Sequence, residues 1–168
     1  GIVELTVCLN EVFNFKEDIV LFDVGHQAYV YKILTDREDK FHTIRKRGGL
    51  SPFLDPNEST YDHFISGHAG TALAAGVGFA TANPDKKVIV IVGDASVSNG
   101  HSLEALNYIG YKKLDNILVI VNDNDMSIAE NHGGLYKNLK LLRETEGKAE
   151  CNLFKAMGLE YIFFKCFY

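Results

Sequence analysis

The sequence has no tryptophan, three prolines and three cysteines in 168 residues. With proline scarce and 46% of residues hydrophobic, neither a disordered chain nor a collagen-like one fits. Cys8, Cys151 and Cys166 are odd in number and widely spaced. They match no zinc spacing and no disulfide framework, which points to a reducing, cytoplasmic setting. Long hydrophobic runs are also missing. The longest, counting glycine, goes from Ala72 to Ala80, well short of the ~18–20 residues that span a bilayer. Positive charge is in deficit: 17 Lys and Arg stand against 22 Asp and Glu, for a net charge of −5. Such a chain lacks the broad positive field of a nucleic-acid binder. The short run Arg45-Lys46-Arg47 reads as a solvated loop. No secretory leader is visible, since Lys16 is the first basic residue and Glu4 breaks the opening apolar stretch. Both ends, Gly1 in a helical pattern and the apolar Phe163 to Tyr168, read as cut.

The length is that of one domain, so residues 1–168 are read as a single unit. Ile2, Val3, Leu5, Leu9, Val12 and Phe13 fit one helical face. Ile19 to Phe22 is a short apolar run closed by Asp23 and Gly25, as a strand would be. His26 to Leu34 reads as a helix, and Arg37 to Ile65 is irregular with several turn signals. Thr71 to Ala82 is too rich in Ala and Gly for a strand. As a helix it gives up ~1 kcal/mol at each of Gly76 and Gly78, which close approach to a sheet would offset. Val88 to Val92 and Ile117 to Val121 are β-branched runs without polar alternation, the pattern of central parallel strands covered on both faces. Ser98 to Gly110 reads as the helix between them, giving a right-handed βαβ unit. Leu135 to Leu142 and Asn152 to Met157 read as helices, and Leu159 to Phe164 as a last strand. The expected fold class is α/β, a doubly wound and mainly parallel sheet with helices on both faces.

Ligands of such sheets bind beyond the carboxyl ends of the strands. Two sequences fall there: Gly93-Asp94-Ala95-Ser96-Val97-Ser98-Asn99-Gly100, and Asn122-Asp123-Asn124-Asp125-Met126-Ser127. Asp94 brings a carboxylate and Asn124 an amide oxygen, and the following backbone can turn a carbonyl inward. Hard oxygens on one side of an open site suit Mg²⁺ held jointly with a phosphorylated ligand. A helix starting near Ser98 would aim its free N–H groups at the same place, with Ser96 and Ser98 adding hydroxyls. Helix capping by Asp and turn formation by Asn-Asp-Asn explain the same residues without a ligand, and the patterns leave both readings open. His26, just after the first strand, and His68, at the start of the small-residue helix, fall at the same edge. His42, His63, His101 and His132 have no such context.

These segments resemble the thiamine diphosphate signature of transketolase-like enzymes: Gly93-Asp94, then about thirty residues on, Asn122-Asp123-Asn124. More narrowly, the chain is similar to the 1-deoxy-D-xylulose-5-phosphate synthase family from Gly1 to about Ile162. Asp23-Val24-Gly25-His26-Gln27-Ala28-Tyr29 is the most specific stretch, supported by Gly48-Gly49-Leu50-Ser51, Gly67-His68 and Asn122 to Ile128. The resemblance implies the diphosphate-binding domain of the thiamine-diphosphate fold. It implies Mg²⁺ ligands at Asp94, Asn124 and the Met126 carbonyl. Cofactor contacts would come from His26, Gly67, His68, Ala69, Asp94, Ala95, Ser96 and Asn124, with His26 and His68 as positioning and proton-handling groups. It further implies a cytoplasmic homodimeric transferase. That enzyme joins pyruvate and glyceraldehyde 3-phosphate into 1-deoxy-D-xylulose 5-phosphate with loss of CO₂, for isoprenoid, thiamine and pyridoxal synthesis. Ala95 stands where the family usually has glycine, and the stretch from Met126 to Asn152 is shorter than usual. The glutamate that activates the aminopyrimidine and the arginines that clamp the substrate phosphate belong to a second domain absent from this chain.

Rival readings are weaker. Gly76-Val77-Gly78 lacks the third glycine of a dinucleotide motif and sits mid-helix. No Gly-x-Ser-x-Gly occurs. A non-catalytic binding or assembly domain of the same fold stays open.

Overall fold

The computed structural model describes residues 2–123 and 132–165. Strands β1 (Ile19–Phe22), β2 (Val88–Gly93) and β3 (Ile117–Asn122) form a parallel sheet in the order β1-β2-β3. Ile19, Val88 and Ile117 lie in register. The period of two divides each strand between two cores. Ile19, Leu21, Val88, Val90 and Val92 face a cluster built by α3 (Ala72–Ala82), α5 (Gly100–Lys112), α6 (Gly134–Glu144) and α7 (Leu153–Ala156). Val20, Phe22, Ile89 and Ile91 face Leu9 of α1 (Ile2–Val12), Tyr31 of α2 (Tyr29–Lys32), Phe15 and Leu54. The α/β architecture with helices on both faces is as expected.

Helix α3 approaches the sheet at one glycine only. A Cβ on Gly76 would lie 2.6 Å from Val90 Cγ2, whereas Gly78 has nothing within 4 Å. Close approach therefore accounts for Gly76 and not for Gly78.

Several sequence expectations need correction. Strand β3 is not covered on both faces: Leu118 is 43% exposed, because the α1 and α2 side covers chiefly β1 and β2. Leu159 to Phe164 forms no strand. Its contacts run through side chains: the Tyr161 ring stacks on Phe154 with centroids 5.5 Å apart, and Phe163 and Tyr161 pack around Gly147. The helix read over His26 to Leu34 shrinks to α2. Val24 and Gly25 take left-handed φ of 61° and 104° before it, and Asp36 takes 65° in the wide turn Ile33–Arg37 after it. The helix expected from Ser98 begins two residues later. A single turn, α4 (Asp94–Val97), precedes α5, which starts at Gly100.

The irregular segment after Arg37 is ordered by charge. Lys32, fully buried, donates to Glu58 and to the Ser51 carbonyl. Arg37, also buried, donates to both oxygens of Asp62 at 2.7 and 3.0 Å and to Glu58 at 3.3 Å. Asp62 also accepts from the Asp55 N–H at 2.9 Å. Burial pulls the Arg37 guanidinium down, but its bonds to Asp62 and Glu58 more than compensate and hold it above its ordinary pKa. Burial, with Asp62 nearby, pushes the Tyr31 phenol well up.

Candidate functional site

In a parallel sheet all carboxyl ends share one edge. Asp23 follows β1, Asp94 follows β2 and Asp123 follows β3. Each carboxylate meets a different environment.

Asp23 is buried. Its oxygens accept from the Gly70 N–H at 2.9 and 3.1 Å and from the Ala72 N–H at 3.0 Å. It thereby satisfies donors at the start of α3, since Thr71 uses its own hydroxyl on the His68 carbonyl at 2.9 Å. Asp123 accepts from Nη1 of Arg143, on α6, at 2.6 Å to each oxygen. Asp94 is 4% exposed. Burial pushes its carboxyl above the ordinary range. The Ala95 N–H draws it down, Asp123 pushes it further up, and Arg143 acts weakly downward.

The loops at this edge are tied together. Asn122 Nδ2 donates to Gln27 Oε1 at 3.2 Å, and Gln27 also lies over Gly93. Asn99 accepts from the His101 N–H at 3.1 Å, capping α5, and donates to the Ala69 carbonyl at 3.4 Å. Its side chain fills the place of a Gly70 Cβ. These bonds bring together the loops of His26, of Gly67, His68 and Ala69, and of Asp94, Ala95 and Ser96. His26, His68, Ala69 and Ala95 are exposed, and Ser96 is buried. Ala95 sits in the helical turn α4 and is not among the residues with positive φ, so its methyl carries no backbone strain. Asn124 and Met126 lie outside the described residues, as do Asp125, Ser127 and Ile128.

The expected hydroxyls and helix dipole are partly engaged already. Ser98 Oγ donates to the Ala95 carbonyl at 2.8 Å and meets Tyr136 OH at 2.7 Å. One N–H of α5 is taken by Asn99. Sequence reasoning did not single out Asp23, Gln27, Asn99 or Arg143. The positive-φ glycines Gly25 and Gly70 beside these bonds were the available signal.

A divalent cation fits this chemistry. Asp94 presents hard carboxylate oxygens at a buried strand end, where burial disfavours its negative charge.

The family profile for 1-deoxy-D-xylulose-5-phosphate synthase matches residues 1–157. The chain belongs to the 1-deoxy-D-xylulose-5-phosphate synthase family. It is 81% identical over 140 residues to the synthase of Fusobacterium nucleatum subsp. nucleatum, an alignment covering 83% of this chain and 23% of that protein. It is 50% identical over 147 residues to the Clostridium perfringens synthase, covering 85% and 24%. The chain thus spans about a quarter of the length of these relatives. Among solved structures, transketolase from Leishmania mexicana aligns with a TM-score of 0.65 at 18% identity, covering 87% of this chain and 24% of that one. Transketolase from Campylobacter jejuni aligns at 0.60 and 24% identity, covering 79% and 24%. At these identities the likeness to transketolases concerns the fold, and it agrees with the α/β layer of the diphosphate-binding type.

Among the described residues no helix is long and apolar enough to cross a membrane.

Proposed function

We propose that this chain supplies the diphosphate- and metal-binding part of a thiamine-diphosphate-dependent transferase. The enzyme forms 1-deoxy-D-xylulose 5-phosphate and CO₂ from pyruvate and glyceraldehyde 3-phosphate, acting as a cytoplasmic homodimer. One observation carries the reading: in a chain of this family, Asp94 is a buried carboxylate at the carboxyl end of β2. Asp94, Asn124 and the Met126 carbonyl would hold Mg²⁺ against the diphosphate. Two protein oxygens alone rarely dehydrate this ion, so phosphate help is needed. The glycine-flanked loop of Gly67, His68 and Ala69, together with Ala95 and Ser96, would lie along the diphosphate. His26 and His68 are exposed side chains on loops tied to that edge, and each imidazole carries two ring nitrogens able to donate or accept. They would orient the bound molecules and move protons at their ring nitrogens. The cofactor, when bound, supplies the electron sink for decarboxylation and carbon–carbon bond formation. Residues 1–168 are read as one domain in this role.

Calorimetry with thiamine diphosphate, with and without Mg²⁺, tests the reading. The wild type should bind only when Mg²⁺ is present, and Asp94→Ala should abolish that Mg²⁺-dependent binding. Equal affinity in Asp94→Ala, or tighter binding of NAD than of thiamine diphosphate, would overturn it.

A further inference from the structure

The two histidines at the site are each preceded by a glycine, Gly25 before His26 and Gly67 before His68. Both glycines have left-handed backbones, with φ of +104° and +144°. Both also face one aromatic ring. A Cβ added at Gly25 would lie 2.5 Å from Ser66 Oγ and 3.2 Å from Cβ and from Cδ1 of Phe53, and one added at Gly67 would lie in ordinary contact, 3.5 Å from Cδ2 and 3.8 Å from Cε2 of the same ring. Phe53 therefore turns opposite ring edges to the two loops.

The segment that carries this ring is held from below. The Leu54 N–H donates to Ser66 Oγ at 3.1 Å, and the Leu54 carbonyl accepts from the Ser66 N–H at 3.2 Å. That pairing locks Phe53 to the residue before Gly67. On the other side, the Phe53 N–H donates to Ser51 Oγ at 3.3 Å. Ser51 is itself gripped at both backbone groups, by Lys32 and by Glu58. Lys32 and Glu58, the latter also bonded to Arg37, thus anchor the segment that holds a flat, rigid ring beside two conformationally free glycines.

We propose that Phe53 is a positioning residue, whose ring sets the separation of the His26 and His68 loops. Its consequence for ligands rests on the reading of those histidines as ligand contacts. Without the ring, two left-handed glycines lose the surface that stops them, and both loops gain freedom that must be removed again on binding. Misplacement of a reacting group by about 1 Å can cost ~100-fold in rate, so the spacing is functional and not only structural.

Amide relaxation of the ligand-free chain reads the spacing directly. In the wild type the His26 and His68 amides should show rigid order parameters, near ~0.85. In Phe53→Ala both should fall below ~0.6, while β2 stays rigid. Phe53→Tyr, which keeps the ring, should restore both. In the full polypeptide Phe53→Ala should weaken Mg²⁺-dependent thiamine diphosphate binding at least tenfold, and Phe53→Tyr should stay within about twofold. If the wild type binds no thiamine diphosphate, the cofactor reading fails, yet the relaxation data still decide the positioning. Unchanged order parameters at His26 and His68 in folded Phe53→Ala, or a fall at only one, would overturn the proposal. Should Phe53→Ala not fold, Phe53→Leu retains apolar bulk without two flat edges and is read by the same criterion.

Discussion

Removing Asp62 tests whether buried charge, more than apolar contact, holds the segment beneath the site. Lys32 and Arg37 bring two positive charges, and Glu58 and Asp62 bring two negative ones. Asp62→Ala leaves the buried Arg37 guanidinium with Glu58 at 3.3 Å, the half-exposed Asp36 at 3.6 Å and the Thr35 oxygens at 2.7 and 3.2 Å. It also leaves the Asp55 N–H without its acceptor. Breaking a buried pair by removing one partner costs ~3–5 kcal/mol, and the stranded N–H adds ~1–3. These overlap, so about 4 kcal/mol is expected, a quarter or more of the ~5–15 kcal/mol that stabilises a typical domain. With a urea slope of ~2 kcal/mol per molar, the midpoint should fall by ~2 M. The double variant Arg37→Leu/Asp62→Leu removes both charges and fills the space. It should be less destabilised than Asp62→Ala alone, since an apolar replacement of a whole buried pair is often close to neutral. Circular dichroism through a urea titration reads both. A midpoint shift below ~0.5 M for Asp62→Ala, or a double variant equal to the sum of the singles, would refute the reasoning.

Gly76→Ala and Gly78→Ala should move stability in opposite directions. Gly78 faces open space and should gain ~1 kcal/mol of helix propensity, whereas a methyl at Gly76 meets Val90 and should cost ~1–2 kcal/mol net in thermal unfolding. His63 packs edge-on against Phe79 with Nε2 buried. Burial first, and Lys86 second, hold its pKa below 6.5, with Asp62 and the Asp18 backbone opposing. The folded state thus disfavours the proton, and the stability His63 contributes is full above pH 6.5 and is lost as pH falls through the depressed pKa. His63→Phe should flatten that acid slope in unfolding measured from pH 7.5 to ~5; an unchanged slope would discount it. Ala95→Gly should alter cofactor affinity by less than ~1.4 kcal/mol, because the Ala95 backbone is already helical. Tenfold tighter binding would show the methyl to be an obstruction.

The apolar runs at Ile19, Val88 and Ile117 made the sheet legible, because their side chains bury by a simple period of two. The placement of Asp94, His26 and His68 at one edge was legible for a related reason: Asp94 directly follows β2, the other two lie in the loops after β1 and before α3, and parallel strands share one carboxyl edge. The position of β3 was not legible. Composition alone does not distinguish a central strand from one whose second face lacks a cover, and Leu118 is as apolar as Leu21. Leu159 to Phe164 shows the same limit, since β propensity describes fit to a pleated surface and says nothing of an available edge. The irregular stretch from Arg37 to Ile65 was opaque because its order comes from pairs far apart in sequence. Lys32 with Glu58 and Arg37 with Asp62 leave no periodic trace.

Under the proposed function, the three carboxylates at the strand ends differ in how well each would suit the metal. Asp23 has both oxygens occupied by N–H groups that open α3, so a cation there would have to displace the bonds holding the His68 loop. Asp123 has both oxygens on the Arg143 guanidinium, so positive charge is already supplied there. At Asp94 the surroundings oppose the charge: burial and the neighbouring Asp123 outweigh the Ala95 N–H and Arg143. A carboxylate in that state gains most from a divalent ion, because the ion cancels the repulsion and replaces the lost hydration at once. The same arrangement accounts for Arg143. Under the proposed function, its pairing with Asp123 would keep the edge from becoming so negative that a diphosphate would be repelled. Among the described residues, Asp94 is thus the strand-end carboxylate whose charge its surroundings disfavour, and it follows the central strand of the sheet.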